Sequence, residues 1–395
     1  MSFKYGLLTL ILTSCFTIKG IAQSTPTKEQ LIISNCMFEM IKDRSNRIAQ
    51  SEQFSLIELT LNNDALRVLH KNRKTCGKFL NLDSYNGNKA LTVSNAKKLL
   101  LELTQQQKPT KLNSFSISHD QQVTQLYQLL DPNMIWQTSQ HLTSYINRSA
   151  TKKTGVDAAH WFKTHFDTMA QEYNRKDVES YFVETGKKYI QPSVVTVIGK
   201  DKPGEAIVIG AHIDTLSGNM PGADDDASGI AVAVEIIRIL LSSELRLNHP
   251  VYIIAYSAEE RGLVGSGFVV RYILEKQIPI KAVMQLDQAG FRANPQDKTI
   301  WLLTDYVDTA LTHFLAQLLT HYVKVPVDYT VCGYACSDHA NWTAQGFSAC
   351  YPSATTLDND NPYVHSSEDK LEIINLEHMV NFTKLGLAFV TELGM

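Results

Sequence analysis

Gly222-Ala223-Asp224-Asp225-Asp226-Ala227-Ser228-Gly229 sets three carboxylates side by side between a glycine and a Ser-Gly pair. Neighbouring carboxylates repel and each is costly to desolvate, so a compact domain rarely holds three together unless a cation offsets them. The flanking glycines and Ser228 predict a tight turn that enters a helix. Upstream, His212-Ile213-Asp214 directly follows the apolar run at residues 206–210. Histidine and carboxylate together form the ligand set that divalent zinc accepts at hydrolytic sites. The segment therefore predicts a metal site whose remaining ligands lie elsewhere in the chain.

Working outward, the runs at 193–198, 206–210, 251–256 and 282–286 read as strands, and residues 157–169, 228–241 and 264–274 as helices. Continuous apolar runs separated by helices predict an α/β fold with a mixed, largely parallel sheet covered on both faces. Three of the strands lead into candidate ligands or catalysts: His212 and Asp214, then Glu259 and Glu260, then Asp287. Sites in open α/β sheets form beyond the carboxyl ends of the strands, so these groups converge although they are distant in sequence. A lone acid after a strand is ordinarily a helix cap or a solvated charge. Three strands behaving alike are a stronger signal.

The chain has 395 residues, enough for two or three domains, and a net charge of −3 with no long basic run. Nucleic acid is not an expected partner. The charged fraction of 19% is low and mildly favours an exported protein. Lys4, the apolar residues 5–18 and the small residues at Gly20-Ile21-Ala22 predict a secretory signal over residues 1–22. Leu12-Thr13-Ser14-Cys15 offers an alternative, a lipobox that would leave Cys15 lipid-anchored. No stretch is long enough for a stable membrane span.

Residues 23–115 are rich in Gln, Asn, Lys and Leu, with helical periodicity at 96–103. They are expected to form a small helical propeptide-like region without a cluster of potential catalytic residues, or else an ordinary accessory domain. A polar linker at 105–110 follows, and 116–395 is expected to be the catalytic domain. Cys332 and Cys336 are spaced for a local disulfide, Cys36 and Cys76 could pair, and Cys350 would remain a buried free thiol. A cysteine zinc site is not expected, because Cys-x-x-Cys pairs are missing.

In order and spacing, residues 120–395 resemble the co-catalytic zinc aminopeptidases of the M28 peptidase clan, especially secreted bacterial leucyl aminopeptidases. The resemblance rests on Gly210-Ala211-His212-Ile213-Asp214, residues 221–229, Ala258-Glu259-Glu260 and Gln285-Leu286-Asp287. It extends through Cys332-Gly333-Tyr334-Ala335-Cys336-Ser337-Asp338-His339-Ala340 and Asn361-Pro362-Tyr363-Val364-His365-Ser366-Ser367-Glu368-Asp369. It implies the zinc exopeptidase fold and two Zn2+ per chain. His212 with Asp287 would hold one ion, Glu260 with His365 the other, and Asp225 would bridge them.

By the same resemblance Glu259 is the general base and Asp214 a carboxylate steadying the His212 ring. Tyr334 is an oxyanion donor positioned by the 332–336 bridge, and Asp226 belongs to a strained or cis peptide. A carboxylate shared by two dications, with a water whose pKa falls from 15.7 toward about 7, agrees with such a site. His339 is expected to be structural. The implied substrates are peptides with a free N-terminus. The enzyme would be a secreted monomer, matured by a processing protease that removes the leading region.

The specificity pocket departs from the leucine-preferring pattern of Met and Phe side chains. Gln288 follows Asp287, and Tyr351, Ser353, Leu357 and Val364 occupy the matching positions, with Asp358 and Asp360 nearby. Two preferences stay open: N-terminal Lys or Arg drawn by the acids, or broadly apolar residues. Two other functions also compete. A glutaminyl cyclase-like enzyme of the same fold would use one zinc. A non-catalytic binding domain of this fold would have lost ligands or the base, whereas all are present here.

Overall fold

The computed structural model describes residues 28–86, 89–104 and 115–395. The signal peptide, the Cys15 alternative and the 105–110 linker lie outside the described residues. The strands of the leading region are β1 (Glu29–Ser34), β2 (Ser45–Gln50), β3 (Phe54–Leu59) and β4 (Phe79–Asn81). The rest of the chain supplies β5 (Val178–Val183), β6 (Ser193–Ile198), β7 (Ala206–His212), β8 (Val251–Tyr256), β9 (Ile280–Gln285), β10 (Ile300–Leu303), β11 (Val327–Thr330), β12 (Ala349–Cys350) and β13 (Pro352–Ser353).

The main sheet has the order β12-β9-β7-β8-β6-β5. Its β12, β9, β7 and β8 pair in parallel, while β6 and β5 add antiparallel strands at one edge. This is the mixed, largely parallel sheet expected from the apolar runs. Alternate residues of β7 serve opposite faces. Ile207, Ile209 and Ala211 join the core under helices Lys153–Glu172, Gly229–Ser242 and Leu376–Gly394. Val208 packs on the other face with Val269, Val270 and Trp342, from helices Val264–Glu275 and His339–Ala344. Two covered faces explain why these strands carry no polar alternation.

The leading region is only partly helical. Its four strands form an antiparallel sheet ordered β2-β3-β1-β4. Leu31, Ile33 and Ile57 face the helix Asn63–Lys71, and Ile32 and Leu56 face the helix Val93–Thr104. Both faces are covered, so the six-residue runs lack the alternation that would betray a strand, and the polar composition around them hides them. Cys36 and Cys76 are bonded, with Cα atoms 5.3 Å apart, which ties the Arg73–Cys76 turn to the helix Asn35–Ile41. Cys332 and Cys336 are bonded too, and Cys350 is buried and free.

The leading region packs directly on the rest of the chain. Leu216 belongs to its core cluster, and Asn81 N–H donates to the Gly262 carbonyl at 2.9 Å. Gly262 has φ 91°, and a Cβ there would lie 2.8 Å from the Asn81 nitrogen. The contact therefore requires glycine.

One buried side chain organises the connection from β7 to the aspartate segment. Arg148 is fully buried and donates to the carbonyls of Ile213 (2.9 Å), Leu142 (3.1 Å) and Gly222 (3.0 Å), and also to Pro221. Arg148→Met would strand these carbonyls without partners, so urea unfolding should show a loss of about 3 kcal/mol or more.

Candidate metal centre

The three consecutive aspartates do different things. Asp224 accepts N–H groups from Gly290 (3.0 Å) and Phe291 (2.8 Å), pinning its turn to the chain after β9. Asp226 accepts from His212 N (3.1 Å), Gly229 N (2.9 Å) and Gln288 N (3.1 Å), so both its oxygens are occupied by main chain. A Cβ at Gly229 would lie 2.5 Å from Asp226 Oδ1, so glycine is needed where the helix begins. Asp225 turns the other way, and the Asp225–Asp226 peptide is cis. Its main-chain N–H is held by Asp369 at 3.1 Å.

Asp225 faces two histidines. Its Oδ1 lies 2.8 Å from His212 Nε2 and its Oδ2 3.2 Å from His365 Nε2. His212 Nε2 is also 3.7 Å from Asp287 Oδ1, and His365 Nε2 is 2.9 Å from Glu260 Oε2. The ends of β7, β8 and β9 thus meet the 361–369 segment at one point, and all five expected ligands come together. Asp226 also lies within reach of His212 and Asp287. We place Asp225 rather than Asp226 at the centre, because Asp226 has no oxygen free of main-chain N–H.

The electrostatics mark a site for a cation. Asp225 Oδ2, Glu260 Oε2, Asp287 Oδ1 and His365 Nε2 are buried without a hydrogen-bond partner. Buried polar atoms ordinarily find partners, and divalent cations are groups that would satisfy these four. Burial opposes a charge on His212, yet Asp287, Asp214 and Asp225 hold its pKa well above the usual range. Burial likewise disfavours charge on Asp225, but His212 and His365 hold its carboxyl well below the usual range. The residues present fit zinc.

Around this centre, His212 Nδ1 meets the main-chain carbonyl of Asp214 at 3.1 Å, with the carboxylate at 3.6 Å. The Asp214 carboxylate accepts from the N–H groups of Glu259 (2.9 Å) and Glu260 (3.3 Å). So it is chiefly the Asp214 main chain that holds the His212 ring, while its carboxylate sets the turn carrying both glutamates. Burial pushes the Glu259 carboxyl up to about 8, against the pull of Lys78. Ser337 Oγ donates to Asp287 Oδ2 at 2.5 Å. His339 is buried beside Tyr351, as a structural group would be.

A pocket opens next to the centre, lined by Gln288, Tyr334, Tyr351, Ser353, Leu357 and Asp360. Val364 does not line it. It faces a neighbouring cleft with Leu216, Met220, His70 and His365. The leading region itself reaches the site. Lys78 Nζ lies 3.1 Å from Glu259 Oε1 and 3.1 Å from the Cys336 carbonyl. Arg73 Nη2 pairs with Asp360 inside the pocket, and Lys74 Nζ is 4.0 Å from the same carboxylate. His70 stacks edge-on against His365, with ring centroids 4.2 Å apart. These contacts span long sequence separations that no periodicity reports. The available signal was a cluster of His70, Arg73, Lys74 and Lys78 around a cysteine.

Residues 193–390 match the model of peptidase family M28. The chain belongs to peptidase family M28. Leucine aminopeptidase 1 of Penicillium rubens is 30% identical to this M28 chain over 296 residues, 71% of this chain and 76% of that protein. The crystal structure of LapB from Legionella pneumophila is 61% identical with a TM-score of 0.90, covering 93% of this chain and all of that one. The LapA aminopeptidase of Legionella pneumophila is 45% identical with a TM-score of 0.88, covering 94% and 99%. Both structural matches extend over the leading region as well as the catalytic domain of this M28 aminopeptidase.

Proposed function

We propose that this M28 aminopeptidase is a di-zinc enzyme that removes the N-terminal residue from peptides with a free amino terminus. The observation that carries this reading is Asp225. Alone among the three aspartates it faces both histidines, and its Oδ2, with Glu260 Oε2, Asp287 Oδ1 and His365 Nε2, is buried without a hydrogen-bond partner. His212 and Asp287 would hold one zinc, Glu260 and His365 the other, with Asp225 between them. When bound, zinc supplies Lewis acidity that lowers the pKa of water and polarises a carbonyl.

The remaining chemistry belongs to the chain. Glu259 takes a proton from the attacking water and returns it to the leaving amine, a role that suits a carboxyl raised by burial. Asp214 anchors the Glu259 and Glu260 amides so that the two side chains diverge. Tyr334, buried beside the pocket, would donate to the developing oxyanion. Titrating the metal-free chain with zinc should restore activity in step with two equivalents. Restoration complete at one equivalent would favour the glutaminyl cyclase-like alternative.

The pocket favours a basic N-terminal residue. Asp360 is buried, and the chain's own Arg73 already pairs with it there. A guanidinium on a buried carboxylate supports the basic alternative over the broadly apolar one. Once the 105–110 linker is clipped and the leading region displaced, Arg-anilide should be cleaved at least 10-fold faster than Leu-anilide, as kcat/KM. A Leu preference would instead support the broadly apolar reading.

Two disulfides support export to an oxidising compartment after removal of the 1–22 signal. Among the described residues no helix is long and apolar enough to cross a membrane. We propose a monomer matured by a protease.

A further inference from the structure

His70 lies in the helix Asn63–Lys71 of the leading region and is 4% exposed. Its Nε2 is 3.0 Å from the main-chain carbonyl of Glu260. A carbonyl only accepts, so Nε2 carries the proton and Nδ1 presents a lone pair. That Nδ1 has no hydrogen-bond partner and lies 3.8 Å from Glu260 Oε2. One ligand atom each from His70, Glu260 and His365 fall within 4.8 Å of one another. Zinc-binding histidines commonly tie one ring N–H to a carbonyl and aim the other nitrogen at the ion. His70 thus presents an unpartnered nitrogen toward a carboxylate oxygen that also lacks a hydrogen-bond partner.

We infer that His70 is a further protein ligand for the metal held by Glu260, His365 and Asp225, supplied by the leading region. The inference rests on the metal reading of these residues. Catalytic zinc keeps three protein ligands and one open position, whereas structural zinc is closed by four. With the leading region docked, His70 fills the open position, and the site becomes closed. The same segment places Lys78 on Glu259 and Arg73 on Asp360. Residues 70–78 thereby occupy the metal, the base and the pocket together. The leading region would act as a latch whose displacement reopens one coordination position.

A crystal of the zinc-loaded whole chain, measured with zinc anomalous scattering, tests this directly. Zinc at Glu260 and His365 should lie about 2.0–2.1 Å from His70 Nδ1. Zinc at that place with His70 Nδ1 beyond about 3 Å, outside any bond distance, would overturn the inference and leave the two-metal reading intact. Absence of zinc between Glu260 and His365 would overturn both. In solution, His70→Gln should weaken one of the two zinc sites by roughly 10- to 100-fold in chelator competition. It should also shift the visible absorption of the cobalt-loaded chain, as expected when water replaces an imidazole in the ligand set. Cobalt spectra and zinc affinities identical to the unsubstituted chain would count against His70 as a ligand.

Discussion

Glu259→Gln should retain both zinc ions yet lower kcat by about 10^3- to 10^4-fold, at the upper end of what a general base contributes. The substitution keeps the shape and the main-chain bonds to Asp214 but removes the group that moves the proton. Glu259 is the neighbour of a proposed ligand without being one, since its Oε1 faces Lys78 rather than the histidines. Metal analysis of the variant should therefore match that of the parent chain. A variant that kept most of its turnover would remove Glu259 from the mechanism. One that lost zinc would instead place it among the ligands.

Clipping the chain within residues 105–114 and displacing residues 28–104 should raise kcat/KM on an Arg-anilide by at least about 100-fold. The leading region buries Lys78 against Glu259 and Arg73 against Asp360, with Lys78 about 10% exposed and its partner 1%. In that state neither the base nor the pocket can meet substrate. A closed-to-open ratio of 100 to 1 corresponds to about 2.7 kcal/mol, less than the 3–5 kcal/mol that breaking one buried ion pair commonly costs. Lys78→Met and Arg73→Met together should raise the activity of the uncut chain, because each weakens the latch without touching the catalytic domain. Equal rates before and after clipping, in a chain shown to have released the fragment, would refute the latch.

Much of the catalytic domain was legible in the sequence. Residues 206–210 and 251–256 are apolar runs buried on both sheet faces, and helical period marked residues 228–241. Of the proposed ligands, His212, Glu260 and Asp287 were legible because each stands at or just past a strand end, where the topology brings them together, whereas Asp225 and His365 stand away from any strand end. Asp225 could be singled out from its neighbours only by the family resemblance. The structure supplies a physical reason: Asp226 gives both oxygens to main-chain N–H groups, and Asp224 gives one to main-chain N–H groups and the other to the Asn361 side-chain amide.

The leading region was read less well. Its strands are short, covered on both faces and set in polar composition, so the helix at 93–104 stood out and the sheet did not. Its contribution to the site was missed for a related reason. His70, Arg73 and Lys78 act across the boundary between two separately packed units, and neither unit's periodicity records that contact.

The central claim is that Asp225 lies between two zinc ions in a hydrolytic centre. It is tested most directly by zinc stoichiometry of the clipped chain, measured together with product analysis on an Arg-peptide and a Gln-peptide, for Asp225 and for Asp225→Ala. The account predicts two zinc ions per chain, free arginine as product, and loss of both zinc binding and turnover in the variant. One zinc per chain with a cyclised Gln-peptide, or two zinc ions retained when Asp225 is removed, would contradict it.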